Sequence, residues 1–390
     1  MADTLRAGII GTGFSGRLQA RSVALAGATL AGVAGSSAAS AQRAADALGA
    51  ERGFDSADAL ITAPDIDVVH VCAPNALHEP LAAAALAAGK HVICEKPLAI
   101  DAAGAARLSA AAQAAGVVAS VPFVYRFHPV VREARSRVQA GELGPLYLLH
   151  GSYLQDWLLE QSDWNWRVDP AQGGASRAFA DIGSHWCDLV EFVSGHRITQ
   201  VWARTQTALT QRIRSEHRET FTQGDTGGTA MPVETEDLAT VMFTTDQGAS
   251  GSVVISQISA GRKNRLWFSI DGATGAVAFD QEESERLWVG RRDSVEWVVR
   301  DPGTLGDAAA GYAFLPGGHA QGYADCFDAF VADTYQAIRS GGPSSAPDGL
   351  PVFADGVRAA RITDAVLASA RSGSAVDVPS PGSAADQADA

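Results

Sequence analysis

The sequence predicts an α/β plus α+β protein of two domains: a doubly wound parallel sheet, then an open-faced, largely antiparallel sheet flanked by helices. Three observations carry this. The chain has 390 residues, too many for one hydrophobic core. Apolar strand-like runs alternate with helix-like runs as far as about residue 124. From about 198 to 301 strand-like runs follow one another with no helix between them.

In chain order, LRAGIIG reads as a strand and GTGFSGRLQARSVALAG as a turn into a helix. TLAGVAGS and ASAQRAADALGA repeat the pair. IDVVHVCAP is continuous and β-branched, as in strands buried on both faces. HEPLAAAALAAG, KHVICEKP, DAAGAARLSAAAQAAG and VVASVPFV complete a first domain over residues 1–124. A helix, HPVVREARSRVQAG, and a strand, LYLLHGSYL, open the second, over 125–372. An aromatic loop, DWLLEQSDWNWR, leads into a helix at ADIGSHWCD. Seven strands then begin at ITQVWARTQ and end at VEWVVR, followed by closing helices at about 323–340 and 351–371. The last stretch, 373–390, is poor in large apolar residues and is expected to be disordered.

Composition narrows the function. A formal charge of −14 disfavours nucleic acid and anionic membrane surfaces, since both want a basic footprint. No apolar run reaches the roughly 18 residues of a membrane span. MADTLRAGIIG enters a strand with no basic-then-apolar signal segment. Four cysteines show no CxxC pattern, so a cytoplasmic location is expected. Only three lysines occur, Lys90, Lys96 and Lys263, so each is worth locating.

Gly11, Gly13, Phe14, Ser15 and Gly16 lie in a G-x-G-x-x-G between a strand and a helix. Glycines there permit a tight turn and close approach of backbone to a pyrophosphate, which the helix N-terminus attracts. A plain Gly-rich turn is the bland alternative. An NAD-type site normally ends its second strand in an acid that bonds the ribose 2′-OH. Here the strand ends in Gly35-Ser36-Ser37, with Arg43 a turn or so further on. Ser36 and Ser37 suit either a hydroxyl or a phosphate. NAD is preferred over NADP because a 2′-phosphate normally wants an Arg in the turn. Ala73, Pro74, Asn75 and His78, and then Glu95 and Lys96, follow two further strands where open α/β sheets bind ligands.

Asp181, His185 and Asp188 fall at i, i+4 and i+7 beside an apolar stripe of Ile182, Trp186, Leu189, Val190 and Val193. Proton transfer, metal binding and a structural histidine compete for this stripe. No further ligand stands at metal spacing nearby, so no metal is expected.

Together GxGxxG, APNxLH, EKP, YRFHP and DIGSHWCD resemble the Gfo/Idh/MocA oxidoreductase family over about residues 5–370. The resemblance implies a Rossmann domain and an open-faced α/β domain with a pyridine nucleotide between them. It implies that Lys96, Asp181 and His185 surround the reacting carbon, and that subunits meet as a homodimer or homotetramer through the C-terminal sheet. QDW at 155–157, DWNWR at 163–167 and PGGH at 316–319 resemble the branch that contains levoglucosan dehydrogenase and glycoside 3-dehydrogenases. Trp faces stack on the C–H face of a pyranose, and polar side chains bond its hydroxyls. On this reading Tyr125, Arg126, Gln155, Trp157, Trp166, Arg167 and His319 join Lys96, Asp181 and His185 at a sugar.

The expected reaction is NAD(P)-dependent oxidation of a secondary pyranose hydroxyl, with C3 preferred. His185 is the expected base, and Lys96 steadies the developing alkoxide. An inositol dehydrogenase is the nearest rival within the class, and an NAD-dependent glycosidase another. A non-catalytic nucleotide-binding regulator is the rival outside it.

Overall fold

The computed structural model describes residues 4–214 and 227–380. The chain divides into two compact units: Met1–Val124 with Ala324–Ala360, and Tyr125–Tyr323 with the described residues from Arg361 to 380.

The first unit is a parallel six-stranded sheet. Its strands are β1 (Arg6–Ile10), β2 (Thr29–Ala34), β3 (Gly53–Phe54), β4 (Val68–Val71), β5 (His91–Cys94) and β6 (Ala119–Ser120). Their order is β3-β2-β1-β4-β5-β6, so the winding reverses between β1 and β4. Ligands of such sheets bind beyond the strand carboxyl ends at that reversal. Ile10, Val69, Val71, Val92 and Leu86 form its core. β3 escaped the sequence reading because two residues show no periodicity.

The sequence reading placed the closing helices wholly in the second domain. Residues Ala324–Ala360 belong instead to the first unit. Phe353, Val357 and Ala360 enter its core, and Ser22 Oγ donates to Asp328 at 2.7 Å.

The second unit carries β7 (Leu146–Leu154), β8 (Ile198–Gln206), β9 (Gln211–Arg214), β10 (Thr229–Pro232), β11 (Leu238–Thr245), β12 (Ser250–Ser256), β13 (Arg265–Gly272), β14 (Ala276–Asp280), β15 (Arg286–Gly290), β16 (Val295–Val299) and β17 (Val376–Asp377). Nine of them form one sheet, ordered β16-β15-β14-β13-β7-β12-β11-β8-β17; β9 and β10 pair as a separate two-stranded antiparallel sheet. β7 and β12 run parallel, and the other ladders of the large sheet are antiparallel. One face packs Leu149, Val241, Val253, Phe268 and Ile270 into a core with Ile182, Trp186, Leu189, Val190 and Val193. The other face leaves Leu148, Trp202, Met242 and Val254 between 38% and 48% exposed.

β17 corrects the expectation of a disordered tail for residues 373–380. Val376 pairs with Val201 and Val378 is buried, so two apolar residues suffice to extend the sheet edge. The remainder of that tail, 381–390, lies outside the described residues.

A buried charge cluster ties the second unit together. Asp237 accepts from Arg177 Nη2 and from Arg212 Nη2, the latter at 2.7 Å, and all three side chains are fully buried. Arg212 Nη1 also donates to the carbonyls of Glu160 at 2.9 Å and Asp163 at 3.0 Å, pinning the aromatic loop. Burial pushes the Asp237 carboxyl up, but Arg177, the Leu209 N–H and Arg212 together hold it below the ordinary carboxylate range. Its contribution to stability is therefore present above the ordinary carboxylate pKa and lost as pH falls through the lower folded value. Asp237→Ala leaves two buried guanidinium groups without their shared counter-charge. It should lose roughly 3–5 kcal/mol in urea unfolding, and its stability should fall less steeply below about pH 4 than the parent's.

Candidate active site

In the first unit the glycine motif is shaped by close approach. Gly11 has φ +101, and a β-carbon there would stand 2.4 Å from the Cys72 carbonyl oxygen. A β-carbon at Gly16 would stand 2.0 Å from the Gly11 carbonyl oxygen. Gly13 differs: it begins the helix Phe14–Leu25 with no side-chain cap, and nothing lies within 4 Å of where its β-carbon would be. Open space thus faces the N-terminus of a helix, whose dipole fits a pyrophosphate. Phe14 is exposed and Ser15 half-buried at the same turn.

The Gly35-Ser36-Ser37 turn is held by a capping box. Ser37 Oγ accepts from Ser40 N at 3.2 Å, and Ser40 Oγ accepts from Ser37 N at 3.0 Å. Ser37 keeps its own O–H to donate, while Ser36 is exposed. His78 joins two loops: its ring nitrogens lie 2.7 Å from the Pro97 carbonyl oxygen and 2.8 Å from that of Ala73. Asn75 is buried beneath the same loop, and Lys96 is half-buried. Glu95 accepts from Gln19 Nε2 at 2.8 Å.

In the second unit the expected helix is present, with a difference. Phe179–Gly183 forms a π turn, and a regular α-helix continues over Ser184–Ser194. Four residues come close to one full turn in either geometry, so the wider turn still leaves Asp181 and His185 near one face. Glu236 Oε1 accepts from Ser176 Oγ at 2.7 Å and from the N–H groups of Arg177 at 3.0 Å and Phe179 at 2.9 Å. A buried carboxylate at the helix start matches the helix dipole. At the core face, Trp186 Nε1 donates to the Trp267 carbonyl at 2.9 Å.

Asp181 is gripped from two sides. Gln257 Nε2 donates to it at 2.8 Å, and Arg167 Nε lies 3.4 Å away. Arg167 in turn stacks 4.3 Å over the Trp166 ring. Tyr125 meets His185 edge-on, with ring centres 5.1 Å apart. Tyr125, Tyr153 and Asn264 close a hydrogen-bonded ring: hydroxyl to hydroxyl at 2.5 Å, Tyr153 to Asn264 Oδ1 at 2.6 Å, and Asn264 Nδ2 to Tyr125 at 3.0 Å. Burial and the neighbouring tyrosines push the Tyr153 phenol well up, so it remains a donor. Gln155 Nε2 also donates to Asn264 Oδ1, and Gln155 Oε1 accepts from Trp157 Nε1, both at 2.9 Å.

These contacts form two groups: Trp166 and Arg167 reach Asp181 on the π turn, while Trp157 and Gln155 connect through Asn264 and Tyr125 to His185 on the helix that follows. Two expected substrate contacts fall elsewhere. Arg126 forms a buried bidentate pair with Asp188, because both are shut from solvent and each supplies the other's counter-charge. His319 is exposed, and its loop is held through backbone carbonyls by Arg300, which takes Leu315 O at 2.6 Å and also His319 O. Trp157 and Trp164 pack partly against Leu158, Val168 and Val233. Gln257, Asn264, Tyr153 and Glu236 were missed. Each is a single polar residue in or beside a strand, far in sequence from its partner; a buried polar strand residue with no local use was the available signal.

Family models match both units: the oxidoreductase family NAD-binding Rossmann fold over residues 5–123, and the GFO/IDH/MocA C-terminal domain over 131–278. Levoglucosan dehydrogenase of Pseudarthrobacter phenanthrenivorans is 32% identical over 346 residues, 87% of either chain. The chain belongs to the Gfo/Idh/MocA oxidoreductase family. Among solved members of the family, levoglucosan dehydrogenase in complex with NADH and levoglucosan superposes with TM-score 0.86 at 30% identity, covering 97% of this chain and 100% of that one. An inositol dehydrogenase homologue from Azotobacter vinelandii with NAD+ gives 0.83 at 26% identity, over 97% and 98%. The mixed second sheet and the NAD-binding first unit are those of this oxidoreductase family.

Gly13→Ala tests the nucleotide cradle. The added methyl meets no protein atom within 4 Å, so thermal stability should stay near the parent's. NADH titrated by fluorescence should bind about tenfold more weakly, as a methyl enters the space kept for the phosphates.

Proposed function

We propose that this oxidoreductase is an NAD-dependent sugar dehydrogenase that oxidises a secondary hydroxyl of a pyranose, preferentially at C3. The observation that carries the reading is the convergence on Asp181. Arg167, stacked on Trp166, and Gln257 both reach the carboxylate on the π turn that leads into the helix bearing His185. An aromatic face beside directed hydrogen-bonding groups suits a ring with an apolar C–H face and equatorial hydroxyls. The similarity to levoglucosan dehydrogenase supports the same substrate class.

Bound NAD supplies the hydride acceptor. The chain handles the proton and the charge. His185 takes the hydroxyl proton, a task that suits an imidazole because its ordinary pKa lies near neutrality. Lys96 Nζ donates to the same oxygen as it gains negative charge and becomes the carbonyl oxygen. Asp181, fixed by Gln257 and Arg167, accepts from a neighbouring hydroxyl and sets which carbon faces the nicotinamide. Tyr125 walls the imidazole. The carbon loses a hydride and the oxygen a proton, so an alcohol becomes a ketone. A second copy of the chain is the proposed cover for the apolar sheet face around Trp202 and Met242.

Turnover is read as NADH absorbance with levoglucosan, glucose, a phenyl glucoside, myo-inositol and scyllo-inositol. Reduction of NAD with a pyranose is expected; activity confined to an inositol would reassign the substrate, and silence throughout would sink the dehydrogenase reading. His185→Ala should lower kcat/KM by about 10²–10⁴-fold, and a loss under about threefold rules it out as the base. Light scattering should show at least a dimer at micromolar concentration, reduced toward monomer by Trp202→Glu.

A further inference from the structure

A line of hydrogen bonds crosses the interior of the first unit and ends beside Lys96. The Tyr335 hydroxyl lies 2.7 Å from His70 Nε2, and His70 Nδ1 lies 2.7 Å from Gln19 Oε1. Gln19 Nε2 donates to Glu95 Oε1 at 2.8 Å, and Glu95 Oε2 accepts from the Lys96 N–H at 3.3 Å. Gln19, His70 and Tyr335 are each 0% exposed and Glu95 is 7% exposed.

The direction of this line is fixed by donor and acceptor chemistry. Two N–H groups point at the Glu95 oxygens, so the Gln19 amino group faces Glu95 and its carbonyl faces His70. His70 must then carry its proton on Nδ1, which leaves Nε2 to accept from Tyr335 O–H. Burial pulls His70 down to about 3, and burial likewise pushes the Tyr335 phenol up. The thiols of Cys72 and Cys94, raised by burial and by the Glu95 charge, stay protonated nearby. His70 and Tyr335 keep these protonation states near neutral pH, so their donors and that of Gln19 point toward Glu95 and each bond polarises the next.

Three buried polar side chains are costly wherever apolar ones would fill the space. What this arrangement supplies is a fixed carboxylate at the residue preceding Lys96. We propose that Tyr335, His70 and Gln19 are positioning residues: a one-way hydrogen-bond chain that fixes Glu95 and, through it, the seat of Lys96. The inference rests on the reading above that Lys96 acts at the reacting oxygen.

The small number of lysines makes the test direct. In the full chain, reductive methylation with ¹³C-formaldehyde labels Lys90, Lys96, Lys263 and the α-amino group, and the Lys96 signal is assigned by its loss in Lys96→Arg. Lys90 and Lys263 are internal controls: Lys90 Nζ bonds the Ala63 and Ile66 carbonyls, and Lys263 Nζ pairs with Asp156. Tyr335→Phe keeps the ring and removes the last donor, whereas Gln19→Leu cuts the line next to Glu95. Both should move or split the Lys96 signal, Gln19→Leu more strongly, with the controls fixed and the circular dichroism unchanged. In turnover, kcat should fall about three- to tenfold with little change in KM for NAD. An unmoved Lys96 signal in both variants overturns the proposal, as does equal movement of all three lysines. Lys96→Met separates the two ideas. If it keeps full turnover, the catalytic reading of Lys96 falls. If it is inactive while the chain variants leave the signal unmoved, that reading stands and the chain has no part in it.

Discussion

The pairing of Asp237 with Arg177 and Arg212 is the constraint on which the second unit's site depends. Arg177 precedes the π turn, Arg212 lies in β9 and holds the aromatic loop, and Asp237 stands at the start of β11. Arg177 Nη1 also reaches Gln257 Oε1 at 3.4 Å, and Gln257 bonds Asp181. Three segments distant in sequence are thereby set in register by one carboxylate. Separating a buried ion from its counter-charge is costly, so this cluster admits few alternative arrangements. Glu236, the residue before Asp237, is buried as well and accepts from the N–H groups at the helix start. The placement of Asp181 is thus inherited from a buried charge network remote from it in sequence.

Much of the fold was legible because it is written in local periodicity. Apolar runs such as IDVVHVCAP, separated by helix-length stretches, announce a parallel sheet, and the glycine spacing announces the phosphate cradle. The structure explains that spacing through the Gly11 and Gly16 contacts. What escaped was either too short or too distant. β3 has two residues. The segment 324–360 follows the second unit's strands in sequence but packs with the first. No local pattern distinguishes those outcomes, since a helix's apolar stripe does not say which core it enters.

The candidate site divided along the same line. Asp181 and His185 stood out because they share a helix with an apolar stripe. Arg126 drew attention for its charge, but Asp188 claims it, a pairing across 62 positions. Gln257 and Asn264 drew none, because one polar residue at a strand end resembles ordinary solvent-facing alternation. His70 is the instructive case. It interrupts a run otherwise apolar on both faces, and such a residue must find partners in the interior.

The anchoring of Trp186 has a consequence for how such a protein changes over time. Its indole N–H is tied to the Trp267 carbonyl, and Gly151 lies so close that a β-carbon there would come 2.7 Å from Nε1. The helix bearing Asp181 and His185 is therefore welded to the middle of the sheet at β7 and β13. The loop over 155–167, which brings Trp157, Trp166 and Arg167, is a separate piece of chain laid across that base. Apart from Arg167, which reaches Asp181, residues of the loop can change its aromatic surface while the helix keeps its seat. Loop and helix thus have largely separate anchors, and one can vary while the other stays fixed.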